Sequence, residues 1–462
     1  MKFCNRPFRH VHLDPGGDVR VCSWTDECVG NILEENLQDI WHGDKVEKIR
    51  ASILDGSYRY CRAISCPYLE NDSLPNIEGG ALEDEIQVAE VPESYNVACD
   101  FTCNHSCPSC RNEVFCGDSV YKQNLKIEIE KLIPYLNKAK YIVTCGNGDI
   151  FSSPVMMGML ERIHPENENC IIQFETNAAL LDEEHWNKIS HLGEYYLIIT
   201  ATPNSFDDVT FKYLNGGHDT LKKVVNNLNF VKGLKHKGIV NEIEISMVMQ
   251  DRNFWELPQF VKRCIDEFEA DKVTIKPLYK WFNLSADDYW HKDILNPLHP
   301  YHKEYLQMIE DPYLKDNDKV YFWGAKNLHP AQPHPAYRYK EYLELIARLM
   351  SVDDIEDKIR DYCINKNIMD MYIYGDMEIS PIVYKILYRL VDLKGFIARD
   401  KINEDICGLK VVAMRDYSHK STDNILVLNY QFFTNIKRDF DFKGFDGQLI
   451  KLDEMVNEIV KG

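Results

Sequence analysis

The chain has 462 residues, 73 acidic and 53 basic, for a formal net charge of −20, and 45% of it is hydrophobic. That composition excludes a disordered or collagen-like chain, and its acidity argues against a nucleic-acid binder or docking on anionic lipid. No apolar run reaches the length of a membrane span and no apolar stretch opens the chain as a signal peptide would, so we expect a cytoplasmic protein of roughly three domains at about 150 residues each.

Residues 1–68 read as a compact cysteine-bearing domain. His10-Val11-His12-Leu13-Asp14 and Asp18-Val19-Arg20-Val21-Cys22 are predicted as short strands joined by a Pro15-Gly16-Gly17 turn. Asn36 to Ile53 has helical spacing, with Leu37, Ile40, Trp41, Val46, Ile49 and Ile53 on one side. His10 and His12 are either an i, i+2 metal pair or, more commonly for such a pattern, a packed or exposed strand face. Residues 69–93 are polar and without periodicity, and read as a flexible linker.

From 94 to 280 strands and helices alternate. Strands are predicted at Tyr95–Phe101, Lys140–Cys145, Cys170–Glu175, Tyr195–Thr202, Glu242–Met249 and Lys272–Pro277. Helices are expected near Lys126–Asn137, Pro154–Ile163, Glu183–His191, Leu221–Lys235 and Trp255–Glu269. The fold class is therefore α/β, with a partial (β/α)6 TIM-like barrel whose chemistry sits at the C-terminal ends of its strands. Residues 281–340 are aromatic, His/Pro-rich and irregular, and either lid a site or pack over the barrel. Residues 341–462 are expected to form a Rossmann-like C-terminal domain, with strands at Met369–Tyr374, Phe396–Ala398, Leu409–Ala413 and Ile425–Leu428. Its first strand runs into Gly375-Asp376-Met377, which has only one glycine of a dinucleotide fingerprint, so it reads as a scaffold or recognition unit.

The 15 cysteines are uneven. Cys4, Cys22, Cys28, Cys61, Cys66, Cys99, Cys103, Cys107, Cys110, Cys116 and Cys145 crowd the first third; Cys170, Cys264, Cys363 and Cys407 are isolated and read as small buried hydrophobes. In a reducing compartment the crowd points to metal rather than disulfides. Cys103, Cys107 and Cys110 follow the first barrel strand at C-x3-C-x2-C spacing, which lets one loop ligate three irons of a four-iron cluster. Zinc is the alternative, but it wants a fourth ligand. Cys4, Cys22, Cys61 and Cys66 are enough for a closed cluster or a structural zinc, and Cys28 is an alternative ligand there.

The triplet resembles the cluster motif of the radical S-adenosylmethionine superfamily. That resemblance implies a cluster whose open iron chelates S-adenosylmethionine. It also implies reductive cleavage to a 5′-deoxyadenosyl radical, which abstracts a substrate hydrogen atom. Gly146-Asn147-Gly148-Asp149 is similar to the family's glycine-rich cofactor motif. Thr176 and Asn177 resemble its Thr-Asn-Gly stretch, with Ala178 in place of the glycine. Thr200, Ser246 and Gln250 (with Asn253 just after it) fall where further cofactor contacts are expected. The text around the amino-terminal cysteines resembles the SPASM auxiliary-cluster domain or its shorter twitch form, here placed before the barrel rather than after it. Two 4Fe-4S clusters, S-adenosylmethionine and a reducing partner such as flavodoxin or ferredoxin are thereby implied.

The phrase ending Cys-Pro-Ser-Cys-Arg looks like members associated with carbohydrate biosynthesis, so the expected activity is oxidation or epimerisation of a sugar or activated sugar. A peptide maturase is the alternative enzyme, and a non-catalytic iron–sulfur or zinc protein the alternative of another class. An epimerase needs a thiol hydrogen-atom donor; Cys145 is the candidate, with Cys28, Cys99 and Cys116 also spare.

Overall fold

The computed structural model describes residues 2–25, 27–61, 66–70, 72–77, 80–144, 147–280, 284–323, 335–399, 403–430 and 433–461. The chain forms two compact units, 1–332 and 333–462.

The first unit is built on ten strands: β1 His10–Leu13, β2 Asp18–Arg20, β3 Gly30–Asn31, β4 Ser94–Val97, β5 Tyr141–Thr144, β6 Ile171–Thr176, β7 Tyr196–Ala201, β8 Glu242–Met249, β9 Lys272–Pro277 and β10 Val320–Phe322. They hydrogen-bond in the order β10-β9-β8-β7-β6-β5-β4-β1-β2-β3. Every pair from β4 to β10 is parallel. Side chains alternate across the sheet. In β6, Ile172 and Phe174 are fully buried, whereas Gln173 and Glu175 point the other way and are half-buried.

The sheet curls. In a flat sheet eight strand spacings of about 4.8 Å would put β2 roughly 38 Å from β10. Yet Trp24, four residues past β2, has its ring 5.4 Å from that of Trp323, the residue after β10. Only a rolled sheet brings these two together, and a partial barrel results.

Three expectations change. The amino-terminal segment is not a module set apart from the barrel, because β1 pairs in parallel with β4 and extends its sheet. Residues 69–93 do not read as a free linker among the described residues. Arg9 donates to Glu93 at 2.8 Å and to the Asp84 carbonyl at 2.9 Å, and Trp41 donates to the Ala89 carbonyl at 3.0 Å. These bonds tie the second half of the connection to the amino-terminal segment. The 281–340 stretch is not wholly irregular, since it supplies β10, which pairs in parallel with β9. Smaller shifts occur as well. The 36–53 helix is two helices, Leu37–Trp41 and Asp44–Leu54. The next helix starts early, at Ser119, because the Asp118 carboxylate accepts from the Tyr121 N–H at 2.8 Å and caps it.

That helix, Ser119–Leu136, buries Glu128 beside Cys99 and Asp100, and burial pushes its carboxyl up to about 8. Between the ordinary carboxylate range and about pH 8 the unfolded chain releases this proton and the folded chain keeps it. Stability should therefore fall as pH rises through that window and level off above it. Glu128→Gln should remove the effect. In urea unfolding the variant should exceed the parent by about 5 kcal/mol at pH 8.5 and by much less at pH 5. A pH-independent difference would place the cost elsewhere.

The second unit holds β11 Asp370–Tyr374, β12 Asp392–Ala398, β13 Asp405–Ile406, β14 Leu409–Ala413, β15 Asn424–Val427 and β16 Gln448–Lys451. Their order is β13-β14-β12-β11-β15-β16, all parallel except β13 against β14. Strand order reverses at β11, as in doubly wound sheets. Ile373, Phe396, Leu426 and Val456 are among its buried core residues. Gly375, just past β11, has φ +137°, a conformation that favours glycine.

Candidate functional site

The cysteine loop leaves the C-terminal end of β4. Cys103 N–H donates to the Phe115 carbonyl at 3.0 Å, and the Cys107 carbonyl accepts from the N–H groups of Cys110 at 2.8 Å and Arg111 at 2.9 Å. This tight turn gathers three thiols. Cys103 is buried, Cys107 half-buried and Cys110 exposed. Burial first, and then the Asp149 carboxylate, push Cys103 up to about 11; burial, and then Cys110 and Cys103, push Cys107 further up. The Arg111 guanidinium opposes this, lying within 3.8 Å of the Cys110 sulfur.

Neighbouring loops fix the cysteine loop. Asn104 donates to Asp219 at 3.0 Å, His105 Nε2 pairs with the same carboxylate at 2.9 Å, and Ser106 meets His218 at 2.7 Å. Asn177 donates to Asn104 at 2.9 Å and lies 3.9 Å from the Cys103 sulfur. Arg111 donates to the Phe101 carbonyl at 2.6 Å and to the Asn147 carbonyl.

Asp149 is fully buried and spends its carboxylate on this frame. It accepts from Thr176 Oγ1 and Asn177 N–H, both at 2.7 Å, and from Phe151 N–H at 3.1 Å. It thus ties the end of β5 to the end of β6. Gly148 lies against the same loop: a Cβ there would be 2.3 Å from the Thr102 carbonyl oxygen. Asn147 donates to the Ala98 carbonyl at 2.8 Å and reaches Asp14 at 3.5 Å. Ala178 has φ +64°, the left-handed conformation that the glycine of the resembling motif would adopt freely. Asn227 holds it by donating to the Ala178 carbonyl at 2.8 Å. Cys145 and Gly146, expected as hydrogen-atom donor and cofactor contact, lie outside the described residues.

Of the more distant candidates, Thr200 and Ser246 are buried and occupied. Thr200 accepts from Gln173 at 2.8 Å and donates to Glu244 at 3.2 Å, and Ser246 meets Thr202 at 2.9 Å. Gln250 differs. It is 1% exposed and its Oε1 has no hydrogen-bond partner among the described residues. A buried amide oxygen left unpaired is costly and suits a ligand donor.

The other four cysteines gather near the amino terminus. Cys4 and Cys61 pack on one apolar cluster with Phe3, Phe8 and Ile53. Cys4, Cys22 and Cys66 sense one another electrostatically, and Tyr58 senses Cys4, Cys61 and Cys66. Burial pushes the Cys4 thiol up to about 11, opposed by the neighbouring Arg6. Cys28 stands apart, donating to the Gly30 carbonyl at 3.3 Å, with Asp18 and Lys45 as its charged neighbours. Cys99 is fully buried against Met156 at 3.8 Å, while Cys116 is exposed. His10 and His12 are both buried. His12 is held by Asp14 at 3.1 Å and Ser23 at 3.0 Å.

Among the described residues no group of three or more His, Cys, Asp or Glu side chains is placed to hold a single metal ion. The donor sets themselves, three thiols on one loop and four in one pocket, fit iron–sulfur clusters, in which each thiolate takes its own iron. Arg111, Asn104 and Asp14 were not singled out by the sequence. Only Arg111, directly after the triplet, carried a signal that could have found it.

Residues 4–67 match SPASM, an iron–sulfur cluster-binding domain. The match takes in Cys4, Cys22, Cys61 and Cys66. No curated protein matches the chain in sequence. Among solved structures it is similar to Streptococcus suis SuiB bound to S-adenosylmethionine, at 12% identity and TM-score 0.34, with 62% of each chain covered. It is also similar to methylornithine synthase (PylB), at 9% identity and TM-score 0.29, covering 55% of this chain and 81% of that one. The chain thus spans under two thirds of SuiB. No helix among the described residues is long and apolar enough to cross a membrane.

Proposed function

We propose that the chain is a radical S-adenosylmethionine enzyme that removes one hydrogen atom from a sugar or activated sugar, leading to oxidation or epimerisation. The observation that carries this reading is the three-thiol loop held at the end of β4. Gln250, just past β8, adds a buried amide oxygen with no partner among the described residues. Cys103, Cys107 and Cys110 would hold one four-iron cluster, and Cys4, Cys22, Cys61 and Cys66 a second. When bound, the first cluster and S-adenosylmethionine supply a 5′-deoxyadenosyl radical by one-electron cleavage of the sulfonium.

The chain's own residues do the positioning. Asp149 locks the β5 and β6 loops together, so the cysteine loop and its flanking backbone keep one geometry. Arg111 places a fixed positive charge against the cysteine sulfurs. Gln250 would orient the cofactor, with Asn147, Gly148, Thr176, Asn177, Thr200 and Ser246 shaping the walls around it. A flavodoxin- or ferredoxin-type donor would supply the electron.

Anaerobic reconstitution should give about eight irons per chain. Reduced protein should then release 5′-deoxyadenosine from S-adenosylmethionine. Stoichiometric zinc in place of iron, or no nucleoside release, would overturn the assignment.

A further inference from the structure

Three half-buried aromatic rings meet where the rolled sheet closes. Trp24 stands 5.4 Å edge-on to Trp323 and 5.9 Å from Tyr279. Lys276, next to last in β9, lies 5.6 Å over the Trp323 ring, and its ammonium is 4.0 Å from the Glu175 carboxylate on β6. Neither charge is sealed in: 20% of the Lys276 side chain and 31% of that of Glu175 are exposed. The group sets an aromatic wall beside one ammonium–carboxylate pair.

Its position joins the two cysteine groups. Trp24 is two residues from Cys22. Glu175 is two residues from Asn177, which lies 3.9 Å from the Cys103 sulfur. The same sheet face continues downward in polar side chains. Gln173 donates to Thr200, Thr200 to Glu244, and Lys272 pairs with Glu244 at 2.9 Å.

We infer that Trp24, Trp323, Lys276 and Glu175 form the substrate site, and that it takes a pyranose ring. This rests on the function proposed above and names its substrate class. The chemistry follows from the wall and the pair. Aromatic faces suit the C–H-rich faces of a sugar ring. A lysine and a carboxylate close together offer donors and acceptors to vicinal hydroxyls. Because the two charges neutralise each other, a neutral polyol can bind without parting them. An amino-acid zwitterion can straddle the pair as well, but it has no C–H-rich ring face to lay on the aromatic wall.

The test is saturation-transfer NMR on the anaerobically reconstituted protein. The probes are the methyl glycosides of glucose, galactose, mannose and N-acetylglucosamine, with dialanine as comparator. At least one glycoside should receive saturation through its ring protons, and dialanine should receive none. Trp323→Ala and Lys276→Met should each weaken that binding about tenfold, as loss of a central contact does. Glu175→Gln, which keeps shape and acceptor, should weaken it less. No glycoside signal, a signal untouched by these substitutions, or preferred dialanine would overturn the inference. The readout needs no turnover, so failure to release 5′-deoxyadenosine would strike the proposed function and leave this result separate.

Discussion

Cys107→Ala should lower iron from about eight to about four per chain and reduce 5′-deoxyadenosine release to background. Cys107 is the middle thiol of the loop, and its burial together with Cys103 and Cys110 is what raises its proton affinity. Removing it leaves two thiols for a site that needs three. The backbone should survive, because the turn is made by the Cys107 carbonyl, which alanine keeps. The matched control is Cys22→Ala. It should cost the amino-terminal cluster while leaving nucleoside release measurable. Equal loss in both variants would mean that the two groups of cysteines do not hold separate clusters. Unchanged release in Cys107→Ala would remove the site assignment.

Gly148→Ala should be the most damaging single methyl in the barrel. Its Cβ would sit 2.3 Å from the Thr102 carbonyl oxygen and 2.7 Å from that of Asp100, both backbone atoms with little room to retreat. The Asp149 N–H donates to that same Thr102 carbonyl at 2.8 Å, so a shift large enough to admit the methyl would break this bond too. Overpacking of this kind costs about 3 kcal/mol. Thr102 precedes Cys103, so the displacement should also lower iron retention on the core cluster. Unfolding by urea and iron counts on the same sample would check both. Stability within about 0.5 kcal/mol of the parent would show that the loop yields more easily than its contacts suggest.

What the sequence disclosed follows from how local each signal is. β8 and β9 were read with their true bounds because alternating apolar residues over eight and six positions leave little choice. β10 was missed because three residues carry no period, and the aromatic and His/Pro content around it suggested a loop. The fusion of β1 with β4 is a pairing between distant segments that no local pattern encodes. At the site, the cysteine triplet was legible by spacing. The task of Asp149 was not, because its partners Thr176 and Asn177 come from another strand. The cluster of Trp24, Lys276 and Trp323 was invisible for the same reason: its members lie at opposite ends of the rolled sheet.

The pairing of β1 with β4 also sets a timetable for synthesis. His10 meets Ser94 across 84 residues, which a ribosome adds in about 4 to 17 seconds. Through that interval the early strand has its hairpin neighbour β2 on one side and an open edge on the other. An uncovered strand edge invites association with other nascent chains. Cys22, Cys61 and Cys66 of the amino-terminal group emerge in the same period, before the barrel edge that will brace them. Expression yield should therefore depend on how soon residues 94–97 follow. Slowing translation between the two strands should lower soluble protein more than slowing it after β4.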